Sequence, residues 1–441
     1  MLKSFQEHID EKFPFLVEKR LLVAISGGLD SVALTHLCQD SGLNISLVHC
    51  NFNLRGTESD ADEAFILNLA EHLNLEVFID SFLTEDYAKA NKLSTQMAAR
   101  ELRYDWFYDL AETLSFDYIL TAHHADDNLE TFLINLSRGT GIAGLTGIPE
   151  IHGKLIRPLL PFSREYLENY AIQNNITWRE DSSNATNKYL RNKIRHQVVP
   201  ILKEVNPQIL PNFQTTIEHL NDTADIVEES LNAVAKRAIV DLDENHITFK
   251  ISEFKKVNNP KAYLYEMLKA YGFTEWNDIV VLLDAQSGKQ VFSKTHRLLK
   301  DRVHLILSEL DTDFNVSVPL AGVEALERDL KLPFGTMIFE HVDSIGYTGM
   351  NTIFIDKEKL KYPLTVRKWQ EGDAFYPFGM KGKKKKLSKY LKDEKLSLLE
   401  KENVWLLCSK GYVVWVIGMR ADDRFRVSEK TESILRIGLV T

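Results

Sequence analysis

Cysteine is scarce in this chain, which has Cys38, Cys50 and Cys408 as its only three cysteines among 441 residues. None of them forms a CxxC pair, so neither a disulfide framework nor a cysteine-rich metal site is predicted. Long apolar runs are also missing, because no stretch approaches the roughly 18–20 apolar residues that a membrane span needs. The N-terminal segment lacks the apolar stretch and cleavage site of a signal peptide. We therefore expect a cytoplasmic protein with no membrane partner.

An overall excess of positive charge is missing too, since the formal net charge is −10. That balance argues against a nucleic-acid partner, but it hides a local asymmetry. Residues 361–400 carry 11 Lys plus Arg and 5 Asp plus Glu, a local charge of +6. This segment contains several aromatic residues and the lysine run Lys383, Lys384, Lys385 and Lys386. We expect the run to contact the phosphate backbone of a nucleic acid, the alternative being a solvated loop.

The stretch LLVAISGGLDS at 21–31 combines a short apolar run with a glycine loop and a helix start. Two glycines allow a tight turn with exposed N–H groups, and serine hydroxyls add donors at the positive end of the helix. The loop is neither a Walker A motif nor a dinucleotide fingerprint, because the required Lys and the third glycine are absent. It predicts an anion-binding loop, with a capped Gly-Gly turn as the alternative. The six candidate residues for binding this anion are Ser26, Gly27, Gly28, Leu29, Asp30 and Ser31.

Apolar strand patterns alternate with helical patterns over the first two hundred residues. This alternation predicts an α/β fold with a parallel, doubly wound sheet whose ligands bind beyond the carboxyl ends of the strands. A mainly helical middle domain and a small β-rich C-terminal domain follow. We place the boundaries at 1–204, 205–320 and 321–441, with the compact part of the last domain starting near 360.

The stretch AHHADDNLET at 122–131 carries a second set of candidate residues. If a helix starts near Ala125, Asp127 and Glu130 share one face and could approach a magnesium ion or an amine. A transition-metal site built on the two histidines is disfavoured, because their spacing is not that of helix-borne zinc ligands. An acidic helix N-cap is the structural alternative. The nearby GTGIAG matches GxGxxG but follows a helical run, so we reject a dinucleotide site.

Basic residues are concentrated at the end of this region, at Lys188, Arg191 and Arg195. The two arginines are spaced i, i+4 and could clamp phosphate oxygens, whereas the alternative is a solvated helix face.

Six collinear motifs together resemble the tRNA(Ile)-lysidine synthetases, with the loop resembling the PP-loop of the ATP pyrophosphatase superfamily. They are SGGLDS, AARELRY at 98–104, AHHADDNLET, RGTGIAGLTGI at 138–148, RPLL at 157–160 and DSSNATNKYLRNKIR at 181–195. The last eighty residues also resemble that family's terminal domain. The resemblance implies that ATP adenylates the C2 oxygen of the wobble cytidine in an isoleucine tRNA with a CAU anticodon. Free L-lysine then displaces AMP.

The resemblance also implies roles for individual residues. SGGLDS would hold the departing pyrophosphate, while Asp30 and Asp127 would position Mg²⁺. Glu130, or Asp127 as second candidate, would take the proton that lysine must lose before its amine attacks. Arg100 and Arg195 match family arginines that could stabilise the α-phosphate or AMP.

Two other functions use the same loop. A PP-loop tRNA thiolase is the main alternative and is weakened by the lack of a CxxC pair. A non-catalytic RNA-binding module is weakened by the presence of Asp30, Asp127 and Glu130. The oligomeric state is left open, with a homodimer among the candidates.

Overall fold

The computed structural model describes residues 1–180, 190–243, 246–310, 317–320, 329–347, 349–380 and 382–440. Its internal contacts divide the chain into two compact units, Met1–Glu229 and Ser230–Thr441. None of the helices in these ranges combines the length and the apolar composition that crossing a bilayer requires.

The first unit is built on a six-stranded sheet. Its strands are β1 Leu21–Ala24, β2 Ile45–Asn51, β3 Val77–Ser81, β4 Tyr118–Leu120, β5 Ile151–His152 and β6 Leu155–Ile156. The order across the sheet is β3-β2-β1-β4-β6-β5. Strands β3, β2, β1, β4 and β6 are parallel, and only β5 joins its neighbour antiparallel. The predicted α/β class with a parallel sheet is confirmed.

Helices cover both faces of this sheet because side chains on a strand alternate between the two faces. Leu21 and Val23 pack into one core with helices α1, α2, α3 and α8, whereas Leu22 packs into the other with α5. The helices are α1 Leu2–Lys12, α2 Leu29–Asp40, α3 Thr57–Leu73, α4 Thr84–Asn91, α5 Thr95–Thr113, α6 Ala125–Arg138, α7 Ile142–Leu145, α8 Arg164–Gln173, α9 Leu190–Lys193, α10 Val199–Val205 and α11 Ile209–Ala238, with a π-helical turn at Ile194–Val198. Helix α11 continues past Glu229, so it extends into the second unit.

The second unit combines a five-stranded antiparallel sheet and short helices with a β-rich C-terminal part. The first sheet has the order β7-β8-β11-β10-β9, and later sheets have the orders β12-β16-β19-β20, β13-β14-β21-β15 and β17-β18. The strands are β7 Ile239–Leu242, β8 His246–Lys250, β9 Gln290–Phe292, β10 His296–Asp301, β11 His304–Glu309, β12 Ser317–Leu320, β13 Leu330–Leu332, β14 Gly335–Val342, β15 Thr352–Asp356, β16 Leu364–Lys368, β17 Ala374–Phe375, β18 Lys385–Lys386, β19 Trp405–Ser409, β20 Tyr412–Val416 and β21 Ile434–Val440. The helices are α12 Ile251–Phe254, α13 Pro260–Leu268, α14 Trp276–Val281, α15 Leu387–Asp393 and α16 Leu398–Glu402. The three predicted domain boundaries stay predictions.

Candidate active site at the carboxyl edge of the parallel sheet

The glycine loop lies between the end of β1 and the start of α2. Ser31 holds it closed, because its hydroxyl accepts from the N–H of Ser26 (3.1 Å) and donates to the carbonyl of Gly28 (3.0 Å). Gly27 has φ +83°, a conformation that only glycine adopts without strain. The loop therefore turns tightly and places the amino-terminal end of α2 at the edge of the sheet, which favours an anion.

Asp30, in the first turn of α2, points at a buried histidine that follows β4. Its Oδ2 lies 3.5 Å from Nε2 of His124, and its Oδ1 is buried without a hydrogen-bond partner among the described residues. Asp127 Oδ2 lies 3.4 Å from the same imidazole nitrogen. The glycine loop and the start of α6 thus share one site, with His124 between their carboxylates.

His124 also caps helix α6. Its Nδ1 accepts from the N–H of Asp127 (3.3 Å), while Asp127 Oδ2 accepts from the N–H of His124 (3.2 Å). Burial alone would lower the pKa of His124, but the nearby carboxylates, above all Asp127 and Asp30, raise it above its ordinary value. The sequence reasoning did not assign His124 a role. Its position between a strand end and an acidic first helical turn is the signal that could have found it.

Asp127 and Glu130 share one face of α6, as the helix start at Ala125 requires, and both contact the two arginines from residues 190–198. Glu130 is 1% exposed and accepts from Arg191 Nε at 2.9 Å and from Arg195 Nε at 2.6 Å. Asp127 Oδ1 accepts from Arg195 at 2.8 Å and from Arg191 at 3.3 Å. Arg191 and Arg195 were predicted either to bind phosphate or to face solvent. In this structure both form ion pairs with carboxylates.

These ion pairs determine the charge state of Asp127. Burial alone would raise the pKa of Asp127, but the positive fields of His124, Arg191 and Arg195 lower it. The neighbouring Asp126 makes separate contacts, to Lys203 and to the N–H of Arg164 (2.9 Å), so it anchors α6 to two other helices.

The two residues predicted to bind Mg²⁺, Asp30 and Asp127, differ in how their carboxylate oxygens are engaged. Asp30 fits a magnesium ligand, because carboxylate oxygens suit Mg²⁺ and its Oδ1 has no hydrogen-bond donor. Asp127 fits less well, because its Oδ1 accepts from the arginines and its Oδ2 from the backbone of His124. Nδ1 of His124 is used as the helix cap, and Nδ1 of His123 lies 3.1 Å from the hydroxyl of Thr121.

One predicted site residue lies apart from this cluster. Arg100 is exposed on α5, with its guanidinium 4.8 Å above the ring of Tyr104. Lys188 lies outside the residues that the structure describes.

The lysine run of the second unit is not uniform. Lys383, Lys384 and Lys386 are exposed, but Lys385 is directed inward. Its Nζ lies 2.8 Å from Asp393 and 5.3 Å from the centre of the Tyr390 ring. Because Lys385 and Lys386 form β18, opposite β17, their side chains alternate between inside and outside. That the lysine run contacts a nucleic acid stays a prediction, and in this structure Lys385 is engaged by Asp393 and Tyr390.

All three cysteines are buried and unpaired. Burial raises the pKa of the Cys50 thiol to about 12 and that of Cys408 to about 11, and it raises the pKa of Cys38 further. None of them is therefore available as a thiolate at neutral pH.

Three family models match successive parts of the chain. Residues 1–202 match a PP-loop domain, residues 242–310 a TilS substrate binding domain, and residues 364–437 a TilS substrate C-terminal domain.

Relatives named tRNA(Ile)-lysidine synthase match the chain from end to end. The protein of Parabacteroides distasonis is 41% identical over 98% of this chain and 98% of its own length. That of Bacteroides thetaiotaomicron is 39% identical over 97% of both chains. Among solved structures, the U34-tRNA thiolase NcsA from Methanococcus maripaludis covers 49% of this chain and 79% of its own, with 17% identity and a TM-score of 0.41. That overlap is too loose to carry a functional argument.

Proposed function

This chain belongs to the tRNA(Ile)-lysidine synthase family, and from that membership we propose the reaction it performs. It is an ATP-dependent ligase that joins lysine to C2 of the wobble cytidine in an isoleucine tRNA with a CAU anticodon. ATP adenylates the C2 oxygen and pyrophosphate leaves; the ε-amine of free L-lysine then attacks C2 and AMP leaves. The product, lysidine, changes codon reading from AUG to AUA. The site for this reaction would be the one at the carboxyl edge of the parallel sheet.

One observation carries the assignment of this site. Asp30 from the glycine loop and Asp127 from α6 lie within 3.5 Å and 3.4 Å of the same nitrogen of His124. An ATP whose phosphates contact the loop would therefore have its reacting end next to the carboxylates of α6. Adenylation and lysine attack would then occur in one place, as a two-step ligation requires.

In the first step, the loop N–H groups and the hydroxyls of Ser26 and Ser31 would hold the phosphates. Asp30 would hold Mg²⁺, which would supply positive charge to the departing pyrophosphate. Asp127 would act on this ion through the field it exerts, because its oxygens already accept hydrogen bonds.

In the second step, a carboxylate must take a proton from lysine, whose amine is mostly protonated at neutral pH. Glu130 is our first candidate and Asp127 the second, although both are held by Arg191 and Arg195 here. We propose that phosphate oxygens of ATP or tRNA draw these guanidinium groups away from the carboxylates. The same movement would bring Arg195 to the α-phosphate and free Glu130 for the amine. For Arg100 to act at this site, bound tRNA would have to bring Arg100 close to Asp127 and Glu130.

The tRNA would contact Lys383, Lys384 and Lys386 in the second unit and Arg191 in the first, with Lys188 kept as a further candidate contact. We further propose that the enzyme works in the cytoplasm and keep a homodimer as a candidate assembly. Thiolation of tRNA is disfavoured, because all three cysteines are buried with raised thiol pKa values.

The test is a reconstituted reaction with purified protein, ATP, radiolabelled lysine and an isoleucine tRNA transcript with a CAU anticodon. We expect label in the tRNA, with AMP and pyrophosphate formed in equal amounts, and no label in a methionine tRNA. Asp30→Ala should abolish AMP formation while tRNA binding stays within severalfold. The matched control is Asp109→Ala, at an exposed position of α5. AMP formation at a normal rate by Asp30→Ala would refute the assigned site.

A further inference from the structure

Arg157, the residue that follows strand β6, has a buried guanidinium whose neighbours are not carboxylates. It is 6% exposed, and its Nη1 donates to the carbonyl of Pro149 at 2.7 Å. Its Nε is buried and has no hydrogen-bond partner among the described residues. Burial lowers the pKa of Arg157, and the side chains that affect this pKa most are Tyr104, Arg100 and Tyr108. A guanidinium stays charged in a protein and an unpaired buried donor is costly, so this arrangement points to a ligand that completes it.

The acidic residues next to these side chains face other parts of the molecule. On α5, Glu101 accepts from the hydroxyl of Tyr87 at 3.4 Å, and Asp105 lies near the same tyrosine. Glu150 accepts from the N–H of Arg157 through its backbone carbonyl at 2.9 Å, but its carboxylate lies near a lysine of α1. None of the three is among the side chains that act most on Arg157. They therefore do not supply the anion that its guanidinium lacks.

Strand pairing places Arg157 on the same edge of the sheet as the acidic turn of α6. The N–H of Thr121 donates to the carbonyl of Ile156 at 3.0 Å, so Thr121 and Arg157 leave β4 and β6 side by side, about 5 Å apart. His123 lies two residues beyond Thr121. Burial lowers the pKa of His123 to about 4, with Asp127 opposing this shift and Arg157 adding to it. The imidazole of His123 is therefore neutral at pH 7 and lies close to both charges.

The charges along this edge match the two ends of a lysine molecule. Asp127 and Glu130 provide carboxylates, which are paired with Arg191 and Arg195 here until, in the proposed reaction, Glu130 is released. Arg157 provides a guanidinium on the other side of this edge. Lysine carries its ε-ammonium on a flexible four-carbon stem, with its carboxylate at the opposite end. A guanidinium binds a carboxylate through two parallel N–H···O bonds, and the unpaired Nε of Arg157 is a donor for one of them.

Burial favours a small ligand over the backbone of a tRNA. Arg157 is buried, whereas Tyr104 and His123 beside it are partly exposed, so a ligand has only a narrow approach to the guanidinium. A phosphate of tRNA is linked to a sugar on each side and needs an open surface. The carboxylate of a free amino acid has no such restriction.

We infer that Arg157 binds the carboxylate of the L-lysine substrate and so selects free lysine over other amines of the same length. The inference rests on the proposed function and assigns a residue to its second substrate. Arg157 would hold lysine with its ε-amine toward Glu130 while the amine attacks C2. Its role would therefore differ from that of Arg191 and Arg195, which lie at the amine end.

The test compares L-lysine with cadaverine, which is lysine without its carboxylate. Equilibrium dialysis measures the binding of each radiolabelled amine, with the tRNA transcript and an ATP analogue that cannot be cleaved between its α- and β-phosphates. Wild type should bind lysine about tenfold or more tightly than cadaverine. Arg157→Gln should weaken lysine about tenfold or more and leave cadaverine within about twofold. Arg157→Lys keeps the charge but not the planar pair of donors, so it should restore part of the lysine affinity.

The control is Arg20→Gln, at the amino end of β1. Nη1 of Arg20 donates to the carbonyl of Leu114 at 2.7 Å, as Nη1 of Arg157 donates to that of Pro149. This variant should change neither affinity, and thermal melting reports whether each variant folds. Pyrophosphate release from ATP and tRNA, measured without lysine, should stay normal in Arg157→Gln, because adenylation does not involve the amine.

Equal losses of lysine and cadaverine affinity in Arg157→Gln, or no loss of either, would show that Arg157 only anchors Pro149 and would overturn the inference. If Arg157→Gln does not fold, an unchanged preference for lysine in Arg157→Lys would overturn it as well. So would a wild-type protein that binds both amines equally, or neither, while it still releases pyrophosphate. A wild-type protein that prefers lysine in binding but neither releases pyrophosphate nor labels the tRNA would overturn the proposed function and leave this carboxylate site standing.

Discussion

Asp30 Oδ2 lies 3.5 Å from Nε2 of His124, a histidine that is 1% exposed. This contact joins the glycine loop to the start of α6, and the nitrogen has no hydrogen bond within the described part of the chain. The imidazole of His124 is buried among carboxylates, and its protonation can be measured.

The stability contributed by His124 should depend on pH. Its pKa is raised in the folded protein, so the extra stability is fully present below its unfolded pKa of about 6.5 and is lost as pH rises through the higher folded pKa. The unfolding free energy of wild type minus His124→Gln should therefore fall as the pH rises from about 5.5 to about 8.5. Urea denaturation across this range measures it.

His36→Gln is the control, because burial lowers the pKa of His36. The unfolding free energy of wild type minus His36→Gln should therefore rise with increasing pH. A pH-independent difference for His124→Gln would show that its imidazole has the same charge in the folded and unfolded chains.

Glu130→Gln should slow lysine transfer by about 10²–10⁴, because the amide keeps the shape but cannot take a proton. Adenylation should be affected less. Single-turnover transfer from preformed adenylated tRNA measures the step, with the exposed Glu112→Gln on α5 as control. If transfer is unchanged, Glu130 only holds Arg191 and Arg195, and Asp127 becomes the proton acceptor to test.

Replacing Lys383, Lys384 and Lys386 with Ala should weaken binding to cognate and non-cognate tRNA alike. Up to about three phosphate contacts would be lost, so the slope of log K against log salt should flatten by up to about 3. ATP affinity should stay constant. Filter binding over a salt series measures this slope.

Lys385→Ala is the matched control from the same run. Its side chain contacts Asp393 and Tyr390, so it should lower stability and leave the salt slope unaltered. An unaltered slope in the triple variant would identify the run as a solvated loop.

The two loop glycines should respond differently to alanine. Gly27 has φ +83°, so Gly27→Ala should cost about 1–2 kcal/mol of stability. Gly28 has φ −76°, and the nearest side-chain atom to its added Cβ is Ser26 Oγ at 3.6 Å, so Gly28→Ala should be nearly neutral for folding. Urea denaturation without nucleotide distinguishes them, and equal losses would contradict the assignment of strain to Gly27.

Features that depend on neighbouring residues could be predicted from the sequence. The strand at Leu21–Ala24, the glycine loop, the start of α6 at Ala125 and the shared face of Asp127 and Glu130 follow from local periodicity and capping. The alternation of strands and helices was enough to predict the parallel sheet, because two parallel strands must be joined by a crossover segment, which is usually a helix.

Which charged groups form ion pairs could not be predicted in this way, because it depends on how distant segments pack. Arg191 lies 61 residues from Glu130 in the chain, and Arg179 lies 117 residues from Asp62, so no spacing rule relates them. The inward turn of Lys385 follows from its pairing with Phe375 across β17 and β18. The partner of a charge depends on how separate elements pack, and burial then makes that partner obligatory, since an unpaired charge in the interior is too costly to keep.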